Sequence, residues 1–310
     1  MKWKKAHGCL FGKDEPILKI KDLLQTGKIT FSCELFPPKA GGDMGKMDSI
    51  IQRIAALHPD FISVTYGAGG STSKRTVEIA SKIQDTYGIP SLAHLTCVSS
   101  TKEDIASMLE RMKEKRIENI LALRGDIPQD SDFPSPMQYR YANELIRDIR
   151  AQGGDFCIGA ACYPDGHVEC EHKADDIDYL KQKVESGCDF LTTQMFFDNN
   201  VLYNFLYRIM AKGIHIPVVA GVMPVINARQ IKRSCELSGT VLPPRFKAIA
   251  DKFADKPLAM KQAGIAYATE QIIDLLSNGV NHIHLYTMNN PEIAAKIMEN
   301  LSGIIRDDEA

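Results

Sequence analysis

The 310-residue sequence has almost no excess charge: 37 Lys and Arg stand against 39 Asp and Glu, leaving −2 at neutral pH. It therefore shows no electrostatic footprint for nucleic acid or an anionic membrane. Long apolar runs are also missing. Charged residues interrupt every such stretch well short of the roughly 20 residues that a membrane-spanning helix needs. The basic start Met1-Lys2-Trp3-Lys4-Lys5 is followed only by the brief apolar patch Cys9-Leu10-Phe11, and then by Lys13-Asp14-Glu15. That patch is too short for the core of a secretory signal. No Cys-x-x-Cys occurs among the eight cysteines, at 9, 33, 97, 157, 162, 170, 188 and 235. In a chain this large they read as reduced thiols of a cytoplasmic protein, not as a disulfide framework. With 44% hydrophobic and 25% charged residues, the chain has ample material for a core, which excludes a disordered class.

What is present is a repeat of short apolar runs and longer amphipathic ones. Eight strand-like runs lie at 29–36, 61–67, 91–97, 119–126, 156–164, 190–198, 216–224 and 281–288. Most lack strict alternation, as expected of parallel strands buried on both faces. Thr101-Lys102-Glu103-Asp104 has the form of a capping box, and Ile105, Met108, Leu109 and Met112 follow on one helical face. Gly154, Gly187 and Gly213 sit just past helical segments, where a left-handed residue closes a helix. A long helix is predicted over 257–276, with Pro257 in its first turn and its end near Asn278-Gly279.

A polar residue falls near the end of seven of the strands, Glu34, Thr65, His94, Arg124, Tyr163, Gln194 and Tyr286, with Met223 in that place on the seventh strand. The steps between them are 31, 29, 30, 39, 31, 29 and 63 residues. A near-constant step of this size is one βα unit. The last is doubled by extra helices over 243–277. Eight units predict a closed (β/α)8 TIM barrel, an α/β fold, with its site at the C-terminal ends of the strands. The competitor, an open doubly wound sheet, lacks the Gly-x-Gly-x-x-Gly expected after its first strand. Length alone would allow two domains of roughly 150 residues. The spacing instead predicts one barrel over 17–310, preceded by an extension over 1–16.

Each strand end carries a chemical reading and a plain one. Glu34 lies between apolar residues and before Pro37-Pro38. Burial favours the protonated form of a carboxyl, which suits a general acid; a strand-end Glu paired with an Arg is the alternative. The glycine-rich run from Gly67 to Ser71 could hold a phosphate ahead of a helix, or be a tight loop; it is not a Walker A sequence. His94 is a lone strand histidine, a type more often structural than a ligand. Arg124-Gly125-Asp126 suits a polar heterocycle, or is a simple ion pair. His167, Cys170 and His172 match no standard zinc spacing. The amide of Gln194 can both donate and accept, as recognition of a pterin or nucleobase edge requires; Phe196 and Phe197 read as core.

In order, Ser32-Cys33-Glu34-Leu35-Phe36-Pro37-Pro38, Ser63-Val64-Thr65-Tyr66-Gly67-Ala68, His94-Leu95-Thr96-Cys97, Leu123-Arg124-Gly125-Asp126, Ala161-Cys162-Tyr163-Pro164, Thr193-Gln194-Met195-Phe196-Phe197-Asp198, Gly221-Val222-Met223-Pro224-Val225 and Tyr286-Thr287-Met288-Asn289 resemble the bacterial 5,10-methylenetetrahydrofolate reductase family. The resemblance runs from about residue 29 to the C-terminus. It implies a barrel with tightly bound FAD, reduced by NADH or NADPH, that passes a hydride to methylenetetrahydrofolate in ping-pong fashion. Glu34 matches the family's proton donor, and Asp126 the acidic residue beside flavin and pterin. Thr65, Tyr66, Ala68, His94, Arg124, Gly125, Asp126, Tyr141, Ala142, Tyr163, His167, Asp176 and Lys183 match positions lining FAD. Glu34, Asp126, Gln194, Gln230 and Tyr286 are expected on the folate.

Two residues depart from the pattern. Asn290 stands where some relatives carry an arginine for the folate's glutamate tail, and Ser234 where some carry a large apolar contact. Relatives are often homo-oligomers, and some take electrons from a partner protein. Because the sequence stops after the eighth unit, a regulatory domain and control by S-adenosylmethionine are not expected. The alternatives are a flavin-free, pterin-binding methyltransferase or lyase, and a non-catalytic barrel that binds folate or a partner.

Overall fold

All eight predicted strands form. The computed structural model describes residues 18–38, 41–66, 73–98, 100–127 and 132–305; the expected N-terminal extension lies outside them. In chain order the elements are α1 (Ile20–Leu24), β1 (Thr30–Leu35), α2 (Met44–Ala55), β2 (Phe61–Val64), α3 (Ser73–Tyr87), β3 (Ser91–Thr96), α4 (Lys102–Glu114), β4 (Asn119–Leu123), α5 (Ala142–Ala151) and β5 (Cys157–Cys162). They continue with α6 (Lys173–Glu185), β6 (Phe190–Thr193), α7 (Asn199–Ala211), β7 (Val218–Val222), α8 (Ala228–Ser238), α9 (Pro244–Phe253), α10 (Pro257–Ser277), β8 (His282–Tyr286) and α11 (Pro291–Ile305).

Each strand pairs in parallel with the next, and β8 returns to β1 with Ser32 opposite His284 and Glu34 opposite Tyr286. This closure gives the strands two buried faces, so their sequences run apolar without alternation. Every strand stops short of its predicted C-terminal limit. The run at 190–198, for example, yields only Phe190–Thr193. Met195 and Phe197, which made it look longer, leave the sheet and pack beneath the helices that follow β7.

The lower end of the barrel is plugged. Phe61, Leu92, Leu121, Cys157, Phe190 and Val219 fill it, and Ile20 and Leu24 of α1 close it from below. The Ile20 N–H donates to Asn119 Oδ1 at 2.9 Å. Gly159 makes room for the Phe190 ring, since a Cβ there would sit 2.5 Å from Phe190 Cζ. With the floor sealed, a ligand can enter only from the C-terminal mouth.

Three helices lie between β7 and β8. The helix α10 packs on β7, α7 and α11, so it is the outer-ring helix of the seventh unit. The added pieces are α8 and α9, which build a satellite core from Val225, Ile231, Phe246, Ala250 and Met260 with Met195 and Phe197. Both phenylalanines of the 193–198 motif are buried, as the core reading expects.

Local signals held in most places. Thr101 and Asp104 form the reciprocal capping box. Removing it with Thr101→Ala should cost about 1 kcal/mol, read as a lowered midpoint in thermal or urea unfolding. Gly187 and Gly213 take left-handed φ of 109° and 77°. At α5 that role falls to Gly153 (φ 66°) and not to Gly154. The reason is that the helix ends at Ala151 with Gln152 as its cap, so position 153 comes next. Seven cysteines of the described residues are free thiols, five of them buried. No helix among the described residues is long and apolar enough to cross a membrane.

Candidate active site

At the C-terminal mouth the strand ends surround a cavity of about 750 Å³. Glu34, His94 and Tyr286, from β1, β3 and β8, line one side of the cavity. Glu34 points there from β1 and is 7% exposed. Its position is fastened from β8. The Thr287 hydroxyl donates to the Glu34 carbonyl oxygen at 2.6 Å, and the Asn289 side chain clasps Phe36, accepting from its N–H and donating to its carbonyl, both at 2.9 Å. The Tyr286-Thr287-Met288-Asn289 motif thus holds the chain leaving β1.

The basic groups found beside the Glu34 carboxylate are histidines, not an arginine. Its Oε2 lies 3.7 Å from His94 Nε2 and 3.9 Å from His284 Nε2. His284 was not singled out from the sequence. Its ring is held by Ser32 Oγ at 2.7 Å and Ser63 Oγ at 3.2 Å and stacks on Phe61. A signal existed in the His282-x-His284 alternation on β8, which sends every second residue inward.

His94 is 5% exposed, and burial pushes its pKa down to about 4, against a raising effect of Glu34 and a lowering one of His284. It is therefore neutral at pH 7. Between the unfolded value of 6.5 and about 4 the unfolded chain binds a proton that the folded one does not. Stability is then intact above pH 6.5 and falls as the pH drops toward 4. We expect His94 to account for a loss of about 2 kcal/mol between neutral pH and pH 5. His94→Gln should flatten this limb in urea unfolding followed against pH; an unchanged slope would contradict the assignment.

The opposite side of the cavity is built by β4, β5, α5 and α6. Arg124 does not pair with Asp126. Both its terminal nitrogens grip Glu169, 45 positions away in the loop after β5, at 2.5 and 2.6 Å. This bond raises the Arg124 pKa and lowers that of Glu169. Between Arg124 and Asp126, Gly125 adopts φ 86°, where a side chain would be strained and would crowd Thr96. Asp126 itself is exposed and lines the cavity.

Tyr163 follows β5. Burial raises its hydroxyl to about 12, and His167 meets its ring edge-on at 4.6 Å. The His167 N–H donates to Asp176. Its Nδ1 accepts from the Glu169 N–H, and its pKa is lowered by burial and by Arg124. Lys183 reaches in from α6, donates to the Ala161 carbonyl at 2.8 Å and lies 5.9 Å from the Tyr163 ring centre. Burial lowers its pKa.

Gln194 sits at the end of β6, its Oε1 accepting from the Met195 N–H at 2.9 Å. The Tyr286 hydroxyl donates to the Thr193 carbonyl at 2.5 Å, and burial raises its pKa well above the usual value. Thr65, Tyr66, Tyr141 and Ala142 complete the wall, with the Tyr66 hydroxyl 2.9 Å from Ser100 Oγ.

Of the residues expected on FAD or the folate, the cavity brings together all but two, while Met223, at the end of the seventh strand, packs instead against the satellite core. Ala68, with the rest of the Gly67–Ser71 run, lies outside the described residues. Gln230 belongs to α8, but its side chain is also outside them. Asn290 starts α11, where its side-chain oxygen accepts from the Ile293 N–H ahead of Pro291. Ser234 is half-buried on α8. The sequence reading passed over Thr192, Tyr179 and Glu169, which also line the cavity. Among the described residues no three His, Cys, Asp or Glu side chains gather as metal ligands.

Comparison with known proteins bears on this arrangement. The profile of the family described as "Methylenetetrahydrofolate reductase" matches residues 19–302. The chain belongs to the methylenetetrahydrofolate reductase family. It is 34% identical over 303 residues to "Methylenetetrahydrofolate reductase (NADH) 1" of Arabidopsis thaliana, covering 94% of this chain and 51% of that protein. To "5,10-methylenetetrahydrofolate reductase" of Escherichia coli it is 32% identical over 275 residues, covering 89% and 91%. The chain spans about half the length of the plant relatives. Reductase-family members from plants, fungi and bacteria match at similar identity, so they do not single out the bacterial branch. A Clostridium thermocellum structure, described as binding two copies of 5-methyl-5,6,7,8-tetrahydrofolic acid, superposes with a TM-score of 0.57 at 15% identity, covering 91% and 97%. At that identity the likeness is one of fold alone.

Proposed function

We propose that this barrel reduces 5,10-methylenetetrahydrofolate to 5-methyltetrahydrofolate with electrons from NAD(P)H carried by FAD. The observation that carries the reading is the buried Glu34 carboxyl, opening on the same cavity as Asp126, Gln194, Arg124 and Lys183 in a chain of this family.

The residues fit the cofactor. A cavity near 750 Å³ is in the upper part of the range for small-molecule sites. Two buried polar atoms on its wall, His94 Nε2 and Thr192 Oγ1, have no hydrogen-bond partner among the described residues, a state that a polar ligand relieves. Arg124 and Lys183 suit its diphosphate. Thr65, Tyr66, His94, Gly125, Tyr141, Ala142, Tyr163, His167 and Asp176, with Ala68, would complete the site. When bound, FAD supplies the hydride taken up by the folate and is recharged by NAD(P)H.

The chain's own groups do the rest. Glu34 gives its proton to the folate N10, opening the five-membered ring to a 5-iminium cation. Asp126 holds that cation by its charge. Gln194 reads the pterin edge with an amide that both donates and accepts. The sealed barrel floor keeps bulk water from reaching the Glu34 end from below.

The test is a visible spectrum. Purified protein supplemented with FAD should show flavin absorbance that bleaches with NADH or NADPH under anaerobic conditions and returns on adding methylenetetrahydrofolate. A folded protein that takes up no FAD sinks the reading.

A further inference from the structure

We propose that the Thr192 hydroxyl donates a hydrogen bond to the isoalloxazine ring of the flavin and raises its reduction potential. The inference rests on the flavin reading above and assigns the floor of the same cavity. On β6, Phe190 joins the plug of the barrel and Leu191 the outer core. Alternation along the strand therefore turns Thr192 inward, one layer above Phe190. The residue lines the cavity and is 6% exposed. Its hydroxyl oxygen is buried and has no hydrogen-bond partner among the described residues.

The neighbours explain why this hydroxyl is left to the cavity. In the sheet register Thr192 stands between Ala161 of β5 and Val219 of β7, and neither side chain can hydrogen-bond. The Tyr286 hydroxyl is committed to the Thr193 carbonyl. Thr193 itself is the contrast: its hydroxyl accepts from the Gly221 N–H at 2.9 Å and so serves the sheet. Valine would fill position 192 with nearly the same shape and no polar atom, whereas a buried unpaired hydroxyl costs free energy. A polar ligand group resting on the floor accounts for the threonine. In a ping-pong cycle the flavin stays while nicotinamide and folate exchange through the mouth, so the resident ring is the one that meets the floor. Its carbonyl oxygens and ring nitrogens accept hydrogen bonds, and two-electron reduction adds negative charge to them. A donor binds a charged acceptor more strongly than a neutral one, so the hydroxyl favours the reduced ring.

The test is the midpoint potential of the FAD-loaded full chain, read against a reference dye during anaerobic reduction. Thr192→Val should make reduction of the bound flavin about five- to tenfold less favourable, a midpoint lower by about 20–30 mV for a two-electron couple. Thr192→Ser keeps the hydroxyl, and its reduction equilibrium should stay within about twofold of the parent's. In the flavin-free protein, Thr192→Val removes an unpaired buried hydroxyl and should melt no lower than the parent. An unchanged or raised midpoint in Thr192→Val, a midpoint as low in Thr192→Ser as in Thr192→Val, or a lower melting temperature of flavin-free Thr192→Val would each overturn the assignment and leave the flavin reading standing. Failure of the unmodified chain to bind FAD would overturn both.

Discussion

With the proposed function, Glu34→Gln should slow the folate half of the reaction sharply and spare the nicotinamide half. The amide keeps the size of the carboxylic acid but carries no acidic proton. The folate ring then opens without help, and the rate of flavin reoxidation by methylenetetrahydrofolate should fall about 10²–10⁴-fold, the usual worth of a positioned general acid. Reduction by NAD(P)H needs no proton from this group and should stay within about threefold of the parent, well under that figure. The fold should tolerate the change. What anchors this position is the backbone, through Thr287 on the Glu34 carbonyl and Asn289 on Phe36, and the substitution leaves those bonds in place. His94 and His284, at 3.7 and 3.9 Å, remain beside the new amide. Anaerobic stopped-flow spectroscopy at the flavin band separates the two half-reactions. Equal loss in both would remove Glu34 from the role of acid.

Gly264→Ala is the substitution with the largest expected effect on stability. By intrinsic propensity, alanine inside α10 should gain about 1 kcal/mol over glycine. The tertiary setting reverses the sign. A Cβ at 264 would lie 1.8 Å from the Val225 carbonyl oxygen and 2.7 Å from its carbonyl carbon. Both are backbone atoms, so no rotamer change relieves the clash. Either α10 lifts from β7 or the turn entering α8 moves. We expect a net loss of about 3 kcal/mol and a melting temperature lower by roughly 6–10 °C. The displaced turn leads into Asn227, the N-cap of α8, so that helix should loosen first, as seen in amide exchange of residues 228–238. A melting temperature equal to or above the parent's would contradict the packing argument.

The two substitutions differ in how far they could be foreseen. Glu34 was legible because its signal is local: a carboxylate at a strand end, among apolar residues and ahead of two prolines. Gly264 carried no such signal, since nothing within α10 reveals a carbonyl from the β7–α8 turn against it. The same contrast runs through the cavity. Arg124 was legible, but its partner was not: Asp126, two residues away, was the natural candidate, and Glu169 arrives only because the β5 loop folds over the β4 end. His284 became Glu34's neighbour through the β1–β8 pairing, across some 250 positions.

By itself the sequence determined the eight strands, their order, the Thr101 capping box and the long helix from Pro257, because each follows from backbone chemistry and periodicity within a few turns of chain. It also determined that the polar strand ends would share one mouth, since each βα unit returns the next strand in the same direction. Tertiary structure alone decided where the strands stop, which of the helices after β7 joins the outer ring, and which charges meet across the cavity. Those outcomes depend on barrel closure, which brings distant residues within 4 Å at register positions that no local pattern encodes.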